Sequence, residues 1–201
     1  MLMNNLGRLG MSMPFREWAS NSVVKKYYRD YVQRLKGGTL LEIGCGNGAG
    51  AKVIKKYFSP KKIAATDLDP FMIKVAKLNV HDPSIIFETG DATKLKYQTG
   101  QFDAVFVFDA LHHIPGPQWR DCLKEIYRVL KPGGLFFIYD VSIEYFETFI
   151  GRVLRPLYVH PYDSMYRRDE FVDFLPKLNF KILKKELEFL SRHFLTVVEK
   201  S

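Results

Sequence analysis

Hydrophobic positions along this chain follow two alternating rhythms: short, nearly continuous apolar runs, and longer stretches in which apolar residues recur every three or four positions. The runs Thr39–Ile43, Lys62–Thr66, Ile85–Glu88, Asp103–Phe108 and Leu135–Tyr139 predict five strands. Between them, helical spacing continues through Val53, Ile54 and Tyr57, over Pro70–Asn79, and over Gln118–Leu130. The second of these opens with Asp69 as N-cap and Pro70 at its first position, and the third is stopped by Lys131-Pro132-Gly133-Gly134. Ahead of the first strand, Trp18, Val23, Val24, Tyr27 and Tyr31 share one helical face, which predicts a helix from Glu17 to Leu35 stopped by Gly37-Gly38. Strands that alternate with helices form a parallel sheet covered on both faces. Near the end of the chain, Phe180–Lys185 and Phe194–Glu199 are separated by a loop alone, the spacing of an antiparallel hairpin at a sheet edge. The expected fold is therefore α/β: a doubly wound, mostly parallel seven-stranded sheet with an antiparallel C-terminal hairpin and helices on both faces.

One stretch interrupts the alternation. Ile143, Phe146, Ile150, Val153, Leu154 and Leu157 recur at helical spacing while Arg152 and Arg155 fall off the stripe, within a segment rich in aromatics and arginine. At 201 residues the chain suits a single domain. Its expected parts are an N-terminal helical segment (1–38), a ligand-binding core (39–140), a lid-like insertion (141–170), and a last helix with the hairpin (171–201). With 47% hydrophobic and 26% charged residues the composition is that of a folded globular protein, and the net charge of +8 permits an anionic partner without demanding one. Cys45 and Cys122 stand in no metal-binding spacing and are too few for a disulfide framework. No apolar run is long enough to span a bilayer and MLMNNLGRLGMSM lacks a secretory apolar block, so a soluble, cytoplasmic protein is expected.

In such a sheet, ligands bind beyond the carboxyl ends of the strands. Four polar loops meet there: Glu42-Ile43-Gly44-Cys45-Gly46-Asn47-Gly48 after the first strand, Asp67-Leu68-Asp69 after the second, Gly90-Asp91-Ala92 after the third, and Asp109-Ala110-Leu111-His112-His113-Ile114 after the fourth. Asp67 lies 19 residues past Gly48, the separation that brings a carboxylate to ribose hydroxyls. Any one loop is weak, but four at one edge point to a nucleoside. Gly44, Gly46 and Ala49 also satisfy the G-x-G-x-x-A dinucleotide pattern. A pyrophosphate, however, suits a helix N-terminus without carboxylates beside it, whereas Glu42, Asp67 and Asp91 make this edge acidic. S-adenosyl-L-methionine carries a sulfonium and an ammonium and no phosphate, and it fits that rim. The Tyr57/Lys61 and Tyr127/Lys131 pairs that a dehydrogenase reading could use fall at the opposite edge.

The motifs LLEIGCGNG (Leu40 to Gly48), ATDLDP (Ala65 to Pro70), ETGDATKL (Glu88 to Leu95), FDAVFVFDALHHI (Phe102 to Ile114) and EIYRVLKPGG (Glu125 to Gly134) together resemble the class I S-adenosylmethionine-dependent methyltransferases, within their small-molecule group. The resemblance spans about residues 39 to 140 and implies a Rossmann-like fold. It implies that Gly44, Gly46 and Gly48, with Cys45 among them, line the methionine part of the cofactor, and that Glu42 supports its ammonium end. It further implies that Asp67 takes the ribose hydroxyls, Leu68 packs on adenine, Asp91 and Ala92 hold the adenine edge, and Asp109 lies near the transferring methyl. Asp109-Ala110-Leu111-His112 replaces the Asn-Pro-Pro-Tyr of enzymes that methylate exocyclic amines, and no Pro-Cys follows the fourth strand as in cytosine-C5 enzymes.

Methyl transfer is an in-line displacement, so a base is needed only for an acceptor that is protonated at working pH. His112 and His113 are the best-placed candidates; Glu144 and His160 are weaker ones. The apolar stripe of the insertion, taken with Trp18, Tyr27 and Tyr28, suggests a hydrophobic lid, an apolar substrate cavity or a peripheral membrane contact. The expected partner is a small, apolar or aromatic methyl acceptor. RNA or protein methylation, and nucleoside binding without catalysis, are the alternatives; no RNA-binding module is recognisable. No metal is expected.

Overall fold

The central strands of this sheet are buried on both faces, and their alternate side chains divide between two cores. The structure, a computed structural model, describes residues 15–157, 162, 165–188 and 193–201. The N-terminal stretch 1–14 and the candidate His160 lie outside the described residues. The seven strands are β1 (Thr39–Ile43), β2 (Lys62–Asp67), β3 (Ile85–Thr89), β4 (Phe102–Phe108), β5 (Leu130–Asp140), β6 (Phe180–Leu187) and β7 (Phe194–Lys200). They form one sheet in the order β3-β2-β1-β4-β5-β7-β6, parallel from β3 to β5, with β7 antiparallel to both β5 and β6. The order reverses between β1 and β4, which opens a crevice beyond their carboxyl ends.

The helices are α1 (Phe15–Val23), α2 (Val32–Leu35), α3 (Ala49–Phe58), α4 (Pro70–Asn79), α5 (Gln118–Val129), α6 (Ile143–Glu147), α7 (Phe149–Leu154) and α8 (Arg168–Phe174). On one face Leu40, Phe106, Phe108 and Phe137 pack with Val24, Tyr28, Ile54 and Phe58. On the other, Leu41, Val105, Phe136 and Ile138 pack with Trp119, Leu123, Ile126 and Phe171. This alternation along β1, β4 and β5 is why the runs read as continuous hydrophobic sequence rather than as half-buried strands. Asp69 caps α4 as its sequence suggests, its Oδ1 accepting from Phe71 N at 2.9 Å.

Three expectations need correction. The N-terminal helix is not regular: α1 passes into a π-helical turn at Val24–Tyr28 and a 3-10 turn at Arg29–Tyr31 before α2. The reason is tertiary. Tyr28 is fully buried with its ring 4.8 Å from that of Phe137, and its hydroxyl donates to the Ile138 carbonyl at 3.0 Å. Tyr28 is thus core rather than the wall of a substrate cavity, while Trp18 is 64% exposed and off the buried face. Second, the insertion is not one helix. Thr148 adopts an extended conformation between α6 and α7, so Ile143 and Phe146 are buried with Val141 and Met165, whereas Ile150 and Val153 face water. Third, β5 begins at Leu130, paired with Phe102, and residues 131–134 loop out of the register before Leu135 pairs with Ala104.

Candidate functional site

Glycines shape the first loop. Gly44, Gly46 and Gly48 all have positive φ, and Gly44 N and Cys45 N donate to the Thr66 carbonyl at 2.8 and 2.9 Å. This ties the loop after β1 to the end of β2. Gly44 also lies so close to the fourth loop that an added Cβ would sit 2.2 Å from the Cβ of Ala110. Asp67 then locks two loops with one carboxylate: Oδ2 accepts from Gly46 N and Oδ1 from Asp69 N, each at 2.9 Å. Asp91 is held by Thr93, whose N and Oγ1 donate to Oδ1 at 2.8 and 2.7 Å.

These loops border an open cleft whose roughly 870 Å³ of empty space includes solvent beyond its mouth. Of the residues singled out in sequence, Gly44, Asp67, Leu68, Asp91, Ala92, Asp109 and His113 line it. Four aspartates, Asp67, Asp69, Asp91 and Asp109, stand in its wall, and among the described residues no lysine or arginine does. A cleft with acidic walls in a chain of net charge +8 is a local choice of sign, and it favours a cationic ligand. The 43% exposed Leu68 supplies an apolar surface beside Asp67, as a base with ribose hydroxyls below it requires.

Glu42, Cys45, Gly46, Gly48 and His112 do not line the cleft. Glu42 is buried beneath α3, where a Cβ on Gly50 would meet its Oε1 at 1.9 Å. Its carboxylate therefore sits against the first turn of α3, where negative charge is favoured. His112 is buried as well. Its Nδ1 donates to Asp140 Oδ1 at 2.5 Å, and Asp140, fully buried, also accepts from Leu111 N and Val141 N at 2.7 and 2.8 Å. These bonds fix the short turn Leu111–His113 that carries His113 into the cleft. Ligating atoms of Asp109, His112 and Asp140 lie within 4.8 Å of one another.

Sequence reading missed His193. It precedes β7, its Nε2 contacts Asp109 Oδ1 at 2.8 Å, and its ring stacks on Tyr139 at 4.5 Å. Tyr139 in turn donates to Glu188, which also accepts from Tyr27. The available signal is topological: a strand antiparallel to β5 begins at the carboxyl edge, so residues just before Phe194 arrive beside the site. Asp109 itself holds φ at 51°, a left-handed conformation that aspartate tolerates better than most residues.

Comparison with known proteins adds to this geometry. A profile described as "Methyltransferase domain" matches residues 41–138. A probable phthiotriol/phenolphthiotriol dimycocerosates methyltransferase 2 of Mycobacterium ulcerans is 35% identical over 119 residues, which cover 59% of this chain and 45% of that protein. The sterol 24-C-methyltransferase of Kluyveromyces lactis is 30% identical over 169 residues, covering 80% of this chain and 45% of that protein. The match thus spans less than half the length of these curated relatives. Among solved structures, the PH0226 protein of Pyrococcus horikoshii superposes with a TM-score of 0.78 at 22% identity, covering 95% of this chain and 93% of that one. At that identity the likeness shows the fold.

Proposed function

Residues 41–138 belong to the class I S-adenosylmethionine-dependent methyltransferase family, and on that premise we propose that this protein transfers a methyl group from S-adenosylmethionine to a small apolar acceptor. The observation that carries the reading is the cleft wall: four aspartates and no lysine or arginine among the described residues, with Leu68 exposed between them. A dinucleotide would place its pyrophosphate against those carboxylates; a sulfonium and an ammonium meet them favourably. The cofactor, when bound, supplies an electrophilic methyl on a positively charged sulfur.

The chain's own residues then do three things. Asp67, fixed by Gly46 N and Asp69 N, presents its carboxylate to the ribose hydroxyls, and Asp91 serves the base end. Close approach of the backbone at Gly44 and Ala110 narrows the cleft where alignment matters, since a displacement gains most from fixed geometry. On the acceptor side His113 is held by the Asp140–His112 bond and takes the proton from an acceptor heteroatom that carries one. His112 serves as its support. The apolar acceptor is supported by Leu111, Ile114 and Pro115 in the same wall, and by relatives named for phthiotriol dimycocerosate and sterol methylation.

Two measurements test the proposal. Calorimetry should give S-adenosylmethionine binding and no NAD binding; tighter NAD binding ends the methyltransferase reading. Labelled-methyl transfer into a cell extract, fractionated into lipid, small-molecule, protein and RNA pools, should place the label in the lipid or small-molecule pool. Label confined to protein or RNA refutes the apolar acceptor and leaves the cofactor reading intact.

A further inference from the structure

The apolar stripe of residues 143–157 divides, and Ile150 and Val153 in its second half are exposed among the described residues. Thr148 marks the division: its hydroxyl donates to the Tyr145 carbonyl at 2.7 Å and accepts from Gly151 N at 3.0 Å. At Gly151 the helices α6 and α7 touch backbone to backbone, because an added Cβ would lie 2.1 Å from the Tyr145 oxygen and 2.6 Å from the Phe146 Cα. With Gly151 clasped against α6, the other side of α7 is turned outward. Phe149 is 83%, Ile150 65% and Val153 61% exposed. Nine large hydrophobic side chains are exposed among the described residues, and these three fall within five consecutive positions.

Charge distinguishes the exposed end of this hairpin from its base. Glu144 and Glu147, on α6, are drawn to Arg167 at 3.9 and 2.7 Å. The stretch FIGRVLRPL from Phe149 to Leu157 contains Arg152 and Arg155 and no acid, and Arg152 is exposed. An apolar face with an exposed arginine beside it on a short helix is the composition of an interfacial anchor.

We propose that α7 docks on an anionic lipid bilayer and brings the cleft to an acceptor dissolved there. The inference rests on the apolar-acceptor reading, since such a molecule collects in a bilayer rather than in water. A lipid surface fits better than a protein because the three side chains present roughly 400 Å², about half of the roughly 800 Å² per partner of a standard protein interface. A bilayer accepts a few apolar side chains plus Coulomb attraction, and needs no matched surface. The hairpin starts three residues beyond Asp140, at the carboxyl edge of the sheet where the cleft opens, so an anchor there faces the site toward the membrane.

The test is flotation of the full chain with vesicles of phosphatidylcholine, alone or mixed with phosphatidylglycerol, beside calorimetry of S-adenosylmethionine. The wild type should float with the mixed vesicles and far less with phosphatidylcholine alone. F149S/I150S should lower the bound fraction about tenfold, and R152E should lower it on mixed vesicles only. Both variants should keep cofactor affinity within about twofold, because these side chains lie outside the cleft. Equal flotation of wild type and F149S/I150S overturns the proposal, as does a wild type that stays in solution. Light scattering that shows self-association lost in F149S/I150S also overturns it, because a second copy then covers the face. Loss of cofactor binding by the wild type refutes the methyltransferase reading instead, and the two failures are read separately.

Discussion

Gly44 offers a sharp test of how the cleft is built. A methyl group placed there meets two obstacles of different origin. Its φ of +74° is a left-handed conformation, which costs an L-residue about 1–2 kcal/mol. Its Cβ would also lie 2.2 Å from Ala110 Cβ, and ordinary carbon contact is about 3.5–4.0 Å, so the loops after β1 and β4 must part by about 1.5 Å. Overpacking of that kind costs about 1–3 kcal/mol. Gly44→Ala should therefore lose about 2–5 kcal/mol of the roughly 5–15 kcal/mol that holds a domain folded. Ala110→Gly removes the second obstacle but leaves the first, since the next atom, Ala110 Cα, is 3.6 Å away. Alone it should cost about 0.5–1 kcal/mol through backbone entropy. The double variant should then show a favourable coupling of about 1–3 kcal/mol. Urea unfolding followed by the fluorescence of Trp18 and Trp119 measures all three, provided the slope with denaturant is unchanged. If Gly44→Ala costs less than about 1 kcal/mol, or if Ala110→Gly fails to relieve it, the two loops do not touch as described.

The remaining expectations follow the same residues outward. Asp67→Ala should weaken S-adenosylmethionine binding by about 1.5–3 kcal/mol, roughly 10- to 100-fold by calorimetry, because it loses the ribose contact and frees the Gly46 loop. Asp69→Ala should instead cost about 0.5–2 kcal/mol of stability as a lost cap, with affinity within a few-fold; the reverse ranking would misplace the ribose contact. Phe146→Ala should destabilise the small core it shares with Val141, Ile143 and Met165, raising hydrogen exchange over 141–147 and at Met165 and Tyr166, whereas Ile150→Ala should change stability by no more than about 0.5 kcal/mol. Hydrogen bonding from Arg128 holds the Glu125 carboxyl below its ordinary value of 4.5, so its contribution is present above that value and is lost as the pH falls through the lowered one. Arg128→Ala should lower the urea midpoint at pH 7 and flatten its acid decline; an equally steep decline would remove Glu125 from the account.

The parts of this molecule that were legible in sequence are those whose signals are local. Asp69-Pro70 announces α4 because a cap and a fixed φ act within one turn. Phe102–Phe108 reads as a central strand because both of its faces are buried. The acidic loops could be assigned to one edge because parallel strands all end on the same side. What escaped depends on distant partners. Periodicity alone made residues 17–35 one helix, yet the ring of Tyr28 has to reach Phe106, Phe108 and Phe137, and the backbone yields to it. Periodicity also made residues 143–157 one stripe, while the contact at Gly151 turns Ile150 and Val153 to solvent.

The same reasoning explains why the histidines divide as they do. His112 and His113 are adjacent in sequence, and composition cannot separate their roles. Asp140, 28 residues away and at the end of β5, claims His112 and leaves His113 in the wall of the cleft. His193 has no local signal at all, because 84 residues separate it from Asp109 and only the reversed direction of β7 brings them together. Site chemistry at this edge is thus assembled from two sources. The parallel strands deliver glycines and carboxylates in an order that sequence reveals, while β5 and β7 deliver the groups that fix or face them. A reader of sequence finds the cofactor side first because its residues follow strand ends one loop at a time. The groups from β5 and from the start of β7, Asp140 and His193, become visible only once the antiparallel strand is in register.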